Sequence, residues 1–172
     1  SGKATRLMEL LDDLYEQGEK VLIFTQFREM GTLLQQFISE TYHRPPLFLH
    51  GGSRRKQRDQ MVDDFQQQPE INTMILSLKA GGTGLNLTEA NHVVHYDLWW
   101  NPAVEAQATD RAYRIGQQRN VFVHRMITEG TFEEKINQML IEKRDLADMA
   151  VSQGEQWIGE LSNKDLKGLF TL

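Results

Sequence analysis

A glutamine and two arginines are spaced so that a helix would bring them onto one face. Gln107, Arg111 and Arg114 stand at i, i+4 and i+7, positions that lie above one another on an α-helix. Guanidiniums are planar, permanently charged and suited to phosphate oxygens. The same spacing fits a solvated helix face with Asp110 and Glu105 as ion-pair partners. Spacing alone leaves both interpretations open.

A glycine-rich loop follows an apolar stretch earlier in the chain. Gly81, Gly82 and Gly84 surround Thr83, two residues after the apolar run of residues 73–78. Because glycine lets backbone come close to a ligand, this loop is a candidate phosphate-binding segment. A plain flexible turn is the competing interpretation. The loop does not complete a dinucleotide-binding fingerprint, which disfavours a small-molecule enzyme of the doubly wound type.

A basic cluster stands at the predicted start of another helix. Arg54, Arg55, Lys56 and Arg58 cluster directly after Ser53, a residue type that commonly caps helices. Cations at the start of a helix are unfavourable, because the helix dipole places a partial positive charge there. An anionic partner would explain their presence. A solvated basic patch explains them equally well. The formal net charge of −5 argues against a whole surface that attracts nucleic acid and leaves a local basic groove as the alternative.

Short apolar runs alternate with amphipathic helical stripes along the chain. Strands are predicted near residues 21–24, 47–49, 73–78, 92–96 and 121–127. The apolar stripe that predicts the second helix comprises Met30, Leu33, Leu34, Phe37 and Ile38. This alternation predicts an α/β fold, a three-layer sandwich with a mostly parallel central sheet and helices on both faces. Ligands of such sheets bind at the loops that follow the carboxyl ends of the strands.

Composition narrows the class of protein further. The 172 residues are 40% hydrophobic and 25% charged, typical of a soluble globular domain. No apolar run approaches the roughly 20 residues needed to span a bilayer, so no membrane association is predicted. Cysteine is absent, and His92 and His95 fall on opposite faces of a strand. The sequence therefore predicts no metal site within the chain.

Four ordered blocks resemble the Swi/Snf-type (Snf2-like) ATPases, a branch of the superfamily-two helicases. They are residues 21–27, 76–87, 97–102 and 107–117. The resemblance covers about residues 2–150 and implies the second, C-terminal RecA-like lobe of a motor. Two residues differ from those common in the family. Tyr113 stands where histidine is common, and Lys79 stands where arginine is frequent. Neither difference removes a charge that the expected mechanism needs.

This resemblance implies a role in ATP hydrolysis. Arg111 and Arg114 would be arginine fingers reaching the γ-phosphate, with Gln107 orienting them, and Gly84 and Asn86 would approach the nucleotide. The chain has neither a Gly-x-x-x-x-Gly-Lys-[Ser/Thr] loop nor an Asp-Glu-x-His-type block. ATP and Mg²⁺ would therefore be held mainly by a missing N-terminal RecA-like lobe, and this lobe alone is expected to be inactive.

The resemblance also implies double-stranded DNA as a partner, contacted mainly through its phosphates. The candidate DNA-binding residues are Thr25, Gln26, His50, Arg54, Arg55, Lys79, Gly81, Gly82, Thr83 and Trp100. The expected function is ATP-dependent translocation or remodelling on duplex DNA. The alternative is a DNA-binding or interaction module that keeps the fold without contributing to catalysis.

The chain is predicted to divide into the lobe, residues 1–150, and a tail with a short packed helix, residues 151–172. The final residues resemble bacterial members of the family more than nuclear remodellers. The expected location is the bacterial cytoplasm in association with the nucleoid, or the nucleus if the source is eukaryotic. The sequence does not specify an oligomeric state.

Overall fold

The computed structural model describes residues 2–77, 85–97, 120–127 and 132–153. Its helices are α1 (Gly2–Glu16), α2 (Arg28–Tyr42), α3 (Arg55–Gln67) and α4 (Phe132–Gln153). Its strands are β1 (Val21–Phe24), β2 (Leu47–His50), β3 (Thr73–Ser77), β4 (His92–His95) and β5 (Phe122–Arg125). The helix predicted after Asn101 and the short helix predicted after Ser162 lie outside the described residues.

The five strands form one parallel sheet in the order β2-β3-β1-β4-β5. The central strand β1 pairs with both β3 and β4, so that Phe24 lies beside Leu76 on one side and His95 on the other. Because all pairs are parallel, the carboxyl ends of the strands meet at one edge of the sheet. This carboxyl edge is where the predicted functional loops begin.

Helices cover both faces of the sheet, as the alternation of strand side chains requires. On one face, α3 packs through Phe65 on strand residues Leu22, Phe24, Leu49, Met74, Leu76 and Val93. On the other, α1 and α2 pack on Val21, Ile23, Phe48, Ile75 and Val94. The connections through α2 and α3 run in opposite directions across the sheet, so right-handed crossovers place these helices on opposite faces. The predicted three-layer α/β sandwich is confirmed.

The apolar stripe that predicted α2 is only partly buried. Leu34 and Ile38 of α2 are buried, but Leu33 is 59% and Phe37 is 46% exposed. The sheet covers only the stripe that continues through Gly31, where α2 lies so close to β2 that a Cβ would stand 2.4 Å from ring atoms of Phe48. The apolar stripe of α2 is therefore wider than the surface that the sheet can cover.

A buried lysine caps the C-terminal end of α3. The Nζ of Lys20 donates hydrogen bonds to the backbone carbonyls of Phe65 and Gln68, and it lies 4.9 Å from the centre of the Phe65 ring. Carbonyls in the last turn of a helix lack partners within the helix, so a cation there satisfies them and opposes the dipole. Burial lowers the pKa of Lys20 below its ordinary value. The sequence pattern gave no sign of this contact.

Helix α4 continues to Gln153, past residue 150, where the lobe was predicted to end. The predicted boundary and the tail of residues 151–172 stay predictions, since residues 154–172 lie outside the described part of the chain. Within the described residues, no helix combines the length and apolar character needed to cross a membrane.

Candidate nucleic-acid interface at the carboxyl edge

The loop after β1 is tied to the end of β4 by a buried side chain. The hydroxyl of Thr25 donates a hydrogen bond to the carboxylate Oδ2 of Asp97. The same oxygen accepts the backbone N–H of Gln26 at 3.3 Å. The Thr25 hydroxyl in turn accepts the backbone N–H of Phe27 at 3.3 Å. One carboxylate thus fixes the first turn after β1.

These contacts bear on two of the predicted DNA-binding residues. Thr25 is fully buried, and its hydroxyl already has partners within the protein. Gln26 is half-buried and stands between Thr25 and Phe27, whose ring is 56% exposed. The contacts of Thr25 and Gln26 with DNA stay predictions, and the structure adds Asp97 as the residue that positions both.

At the end of β2, a short turn fixes the ring of His50. The backbone N–H of Gly52 donates to His50 Nδ1 at 3.0 Å. The backbone N–H of His50 donates to Ser53 Oγ at 3.1 Å, and the backbone N–H of Ser53 returns a bond to the His50 carbonyl at 3.0 Å. Because Nδ1 accepts, the neutral imidazole carries its proton on Nε2.

This turn also corrects the predicted helix cap. Ser53 was expected to cap α3, but the helix begins at Arg55 and Arg54 is its N-cap. The backbone N–H of Arg54 donates to Gln57 Oε1 at 3.1 Å instead. The Ser53 hydroxyl is used one turn earlier, where it accepts from His50. The first turn of α3 contains no acidic residue.

Four arginines lie near this turn. The predicted DNA-binding pair, Arg54 and Arg55, is exposed at the start of α3. Two others were not among the predicted DNA-binding residues: Arg58, a member of the basic cluster seen in the sequence, lies one turn into α3, and Arg28 lies at the start of α2. Burial lowers the pKa of His50, and the nearby positive charges of Arg28 and Arg58 lower it further. Their signals were the position of Arg28 directly after the β1 loop and the i, i+4 spacing of Arg58 from Arg54.

Of the residues predicted to approach the nucleotide, only Asn86 is described. Its side chain is exposed, between half-buried Leu85 and buried Leu87, so it is accessible to a ligand. The other predicted residues lie outside the described part of the chain; they are Lys79, Gly81, Gly82, Thr83, Gly84, Trp100, Gln107, Arg111 and Arg114.

The two histidines of β4 have different surroundings. His95 is fully buried, and its ring stacks on Phe24 with centroids 5.7 Å apart. His92 Nδ1 lies 3.1 Å from His124 Nε2, and His92 Nε2 contacts the carboxylate of Glu19. Within the described ranges, no group of three or more histidine or acidic residues could hold a metal ion.

The described residues form a parallel five-stranded sheet between two helical layers, which is the architecture of a RecA-like lobe. The family model described as the helicase conserved C-terminal domain matches residues 2–116. The chain belongs to this family, and its relatives place it in the Swi/Snf-type branch.

Two curated relatives illustrate this membership. The chain is 55% identical over 172 residues to the putative ATP-dependent helicase/translocase YwqA of Bacillus subtilis, covering 100% of this chain and 18% of that protein. It is 41% identical over 154 residues to the chromatin-remodeling ATPase INO80 of Aspergillus oryzae, covering 90% of this chain and 11% of that protein. The chain therefore spans less than a fifth of either relative's length.

Solved structures support the same family and fold assignment. The SWI2/SNF2 ATPase core of Sulfolobus solfataricus in complex with double-stranded DNA superposes with a TM-score of 0.78 at 46% identity, covering 98% of this chain and 35% of that one. The C-terminal domain of the same ATPase superposes with a TM-score of 0.73 at 41% identity and covers 98% of this chain and 68% of that one. The chain thus has the fold of the C-terminal RecA-like lobe.

Proposed function

We propose that this chain is the second motor lobe of an ATP-driven translocase or remodeller of double-stranded DNA. The observation that carries the proposal is the meeting of three loops at one sheet edge, after β1, β2 and β4, with exposed Arg54 and Arg55 beside them. Family membership and the likeness to an ATPase core solved on duplex DNA support the same conclusion.

In this proposal, ATP lies between this lobe and an N-terminal RecA-like lobe of the same protein, which holds most of the nucleotide and the Mg²⁺. Bound MgATP supplies the phosphoryl group that is transferred to water. Arg111 and Arg114 stabilise the negative charge that develops on the phosphoryl oxygens, and Gln107 orients them. Gly84 and Asn86 line the nucleotide from this side; the exposed side chain of Asn86 fits that position.

In this proposal, the lobe binds DNA through contacts with the backbone phosphates. His50, Arg54 and Arg55 lie at the β2 end of the carboxyl edge, and Gln26 lies at the β1 end. The loop of residues 79–83 and Trp100 would complete the track. Such contacts position the protein on DNA without reading sequence. Asp97 anchors the β1 loop and lies three residues before Trp100, so the same residue would position two parts of the track.

The decisive test is to join this lobe to its own N-terminal partner and to measure ATP hydrolysis with and without duplex DNA. The proposal expects DNA-stimulated turnover by the joined protein and none by the 172-residue chain. A DNA-binding module without a catalytic role would instead bind DNA equally well while its arginine substitutions left turnover unchanged. Steady turnover by the isolated chain would contradict the assignment of half an ATP site.

A further inference from the structure

We propose that His92 and His124 form a proton-sensitive clamp between β4 and β5. The clamp is closed while the two imidazoles hold at most one added proton, and it opens when both are protonated. His92 is the first residue of β4, and His124 lies within β5. The chain between these strands carries Gln107, Arg111 and Arg114. The inference goes beyond the proposed function and rests on it only for the effect of opening on ATP hydrolysis.

The two imidazoles are joined by a hydrogen bond across the strand pair. His92 Nδ1 lies 3.1 Å from His124 Nε2, and the two rings are nearly parallel, with an angle of 13° between their planes. The Phe122 ring lies 5.1 Å from the His92 ring, at an angle of 21°. At its other nitrogen, Nε2, His92 contacts the carboxylate of Glu19. A carboxylate and two imidazoles therefore form one continuous chain of hydrogen bonds.

The contact between the rings needs one donor and one acceptor. A neutral imidazole has one of each, whereas an imidazolium is a donor at both nitrogens. When both rings are neutral, His92 donates from Nε2 to Glu19 and accepts at Nδ1 from His124 Nε2. When only His92 is protonated, its Nδ1 donates to His124 Nε2 instead. When both are protonated, two N–H groups face each other, so the hydrogen bond is lost and two positive charges stand side by side.

The charges near the pair oppose a second added proton. Among the described residues, Glu19 is the charged group that contacts the pair, and one carboxylate offsets one imidazolium. The neighbouring Lys20 points away and donates to the Phe65 carbonyl. Burial and the positive charge of His92 lower the pKa of His124. The native chain therefore binds this proton more weakly than the unfolded chain does, so the stability that the closed clamp contributes is complete at neutral pH and is lost as the pH falls.

The clamp acts on the least covered strand of the described sheet. Within the described residues, β5 pairs only with β4, and its residues Phe122 and Val123 are 52% and 42% exposed. At the two ends of the strand, the backbone N–H of Phe122 donates to the Asn91 carbonyl at 2.8 Å, and that of Met126 donates to the His95 carbonyl at 3.0 Å. A strand with few buried contacts opens locally at low free energy, so loss of the clamp should loosen β5 before the rest of the sheet.

An NMR titration of the imidazoles in the 172-residue chain tests the shared hydrogen bond. The two rings should titrate as a coupled pair, and His92→Gln should raise the midpoint of His124, because it removes the neighbouring positive charge. His43→Asn is the matched control: exposed His43 ends α2 with a φ of 54°, which asparagine tolerates, and its loss should leave the His124 midpoint unchanged. An unchanged His124 midpoint in His92→Gln would overturn the clamp.

Hydrogen exchange tests the opening itself. Between about pH 7.5 and about pH 5.5, β5 amides of the unsubstituted chain should lose protection severalfold more than β1 amides, after correction for the intrinsic exchange rate. His124→Gln should remove this difference, because its amide N–H can donate to His92 Nδ1 and does not titrate. The pKa of His95 is about 4, so His95 stays neutral over this range in both proteins. A thermal melt at neutral pH establishes that each variant is folded. Equal loss of protection in the two proteins would overturn the clamp.

The effect of opening on the motor is measured in the joined two-lobe protein. DNA-stimulated kcat should fall severalfold more between the same two pH values in the unsubstituted protein than in His124→Gln. Identical pH profiles of kcat would overturn the link between the clamp and the chain that carries the arginines. Absence of turnover by the joined protein at every pH would contradict the proposed function, whereas the titration and exchange experiments would still decide the clamp.

Discussion

The Thr25 hydroxyl donates a hydrogen bond to the Asp97 carboxylate, joining the ends of β1 and β4 across 72 residues of sequence. Both residues are buried, Thr25 completely and Asp97 to 9% exposure. A second contact stabilises the same end of β4, since Lys3 Nζ of α1 donates to the Tyr96 carbonyl at 3.0 Å. The carboxyl edge is thus held by side chains as well as by the strand ladder.

The first prediction follows from this pair. Asp97→Ala should destabilise the chain by about 1–3 kcal/mol, because it leaves the Thr25 hydroxyl and the Gln26 amide without an acceptor. Thr25→Val should also destabilise, since it removes a partner from a buried carboxylate. The double variant should lower the free energy of unfolding by less than the sum of the two single variants, because the two residues contact each other. Urea unfolding of the four proteins measures this coupling, and strictly additive costs would show that the contact is unimportant.

The second prediction concerns Gly31. Gly31→Ala should destabilise the chain by about 1–3 kcal/mol, the usual cost of overpacking a core, because the new methyl would stand 2.4 Å from the Phe48 ring. Gly51→Ala is the control, since no atom lies within 4 Å of a Cβ added there. Thermal melts compare the two. A gain in stability for Gly31→Ala, in line with the higher helix propensity of alanine, would mean that Phe48 moves aside freely.

The third prediction is a pH dependence of stability. Burial lowers the pKa of His95 to about 4, helped by the positive charge of Arg125, whereas an unfolded histidine titrates near 6.5. Between these values the unfolded chain binds a proton that the native chain does not. Stability from this group is therefore complete above pH 6.5 and is lost as the pH falls toward 4, by up to about 3 kcal/mol.

His95→Gln should remove this part of the acid sensitivity. Urea unfolding at several pH values between 4 and 7 should show a shallower fall in stability for the variant than for the unsubstituted chain. His50 and His124, whose pKa values burial also lowers, remain in both proteins and provide the shared background. An NMR titration midpoint of His95 near 6.5, or identical pH profiles, would contradict the prediction.

Local pattern was sufficient to predict most of the fold. The run of residues 21–24 contains four apolar side chains, and all four are buried because both sheet faces are covered. On α1 the apolar residues Leu7, Leu11 and Leu14 stand at helical spacing, and all three are buried. On α2 the periodicity predicted the helix correctly, but it does not indicate how wide a strip of the helix the sheet covers. Leu33 and Phe37 fall outside that strip.

The candidate site was harder to predict because its contacts join residues far apart in sequence. No local pattern indicates that Asp97 accepts from Thr25, or that Lys20 closes α3. Arg28 was missed for the same reason, since its neighbour His50 lies on a different element. The cluster of Arg54 and Arg55 was visible in sequence because its members are adjacent.

Arg114→Lys in the joined two-lobe protein tests most directly the proposal that Arg114 acts on the transferred phosphoryl group. Lysine keeps the charge and loses the planar fork, so DNA-stimulated kcat should fall sharply, toward the loss of about 10³–10⁵-fold that removing an arginine finger causes. Duplex affinity and Tm should stay close to those of the unsubstituted protein. Arg111→Lys should lower kcat in the same way. The double variant should raise the activation free energy by less than the sum of the two single variants, because both residues act on one transition state. Unchanged kcat for Arg114→Lys, or a loss of activity that only follows a loss of Tm, would show that Arg114 is a structural ion-pair residue.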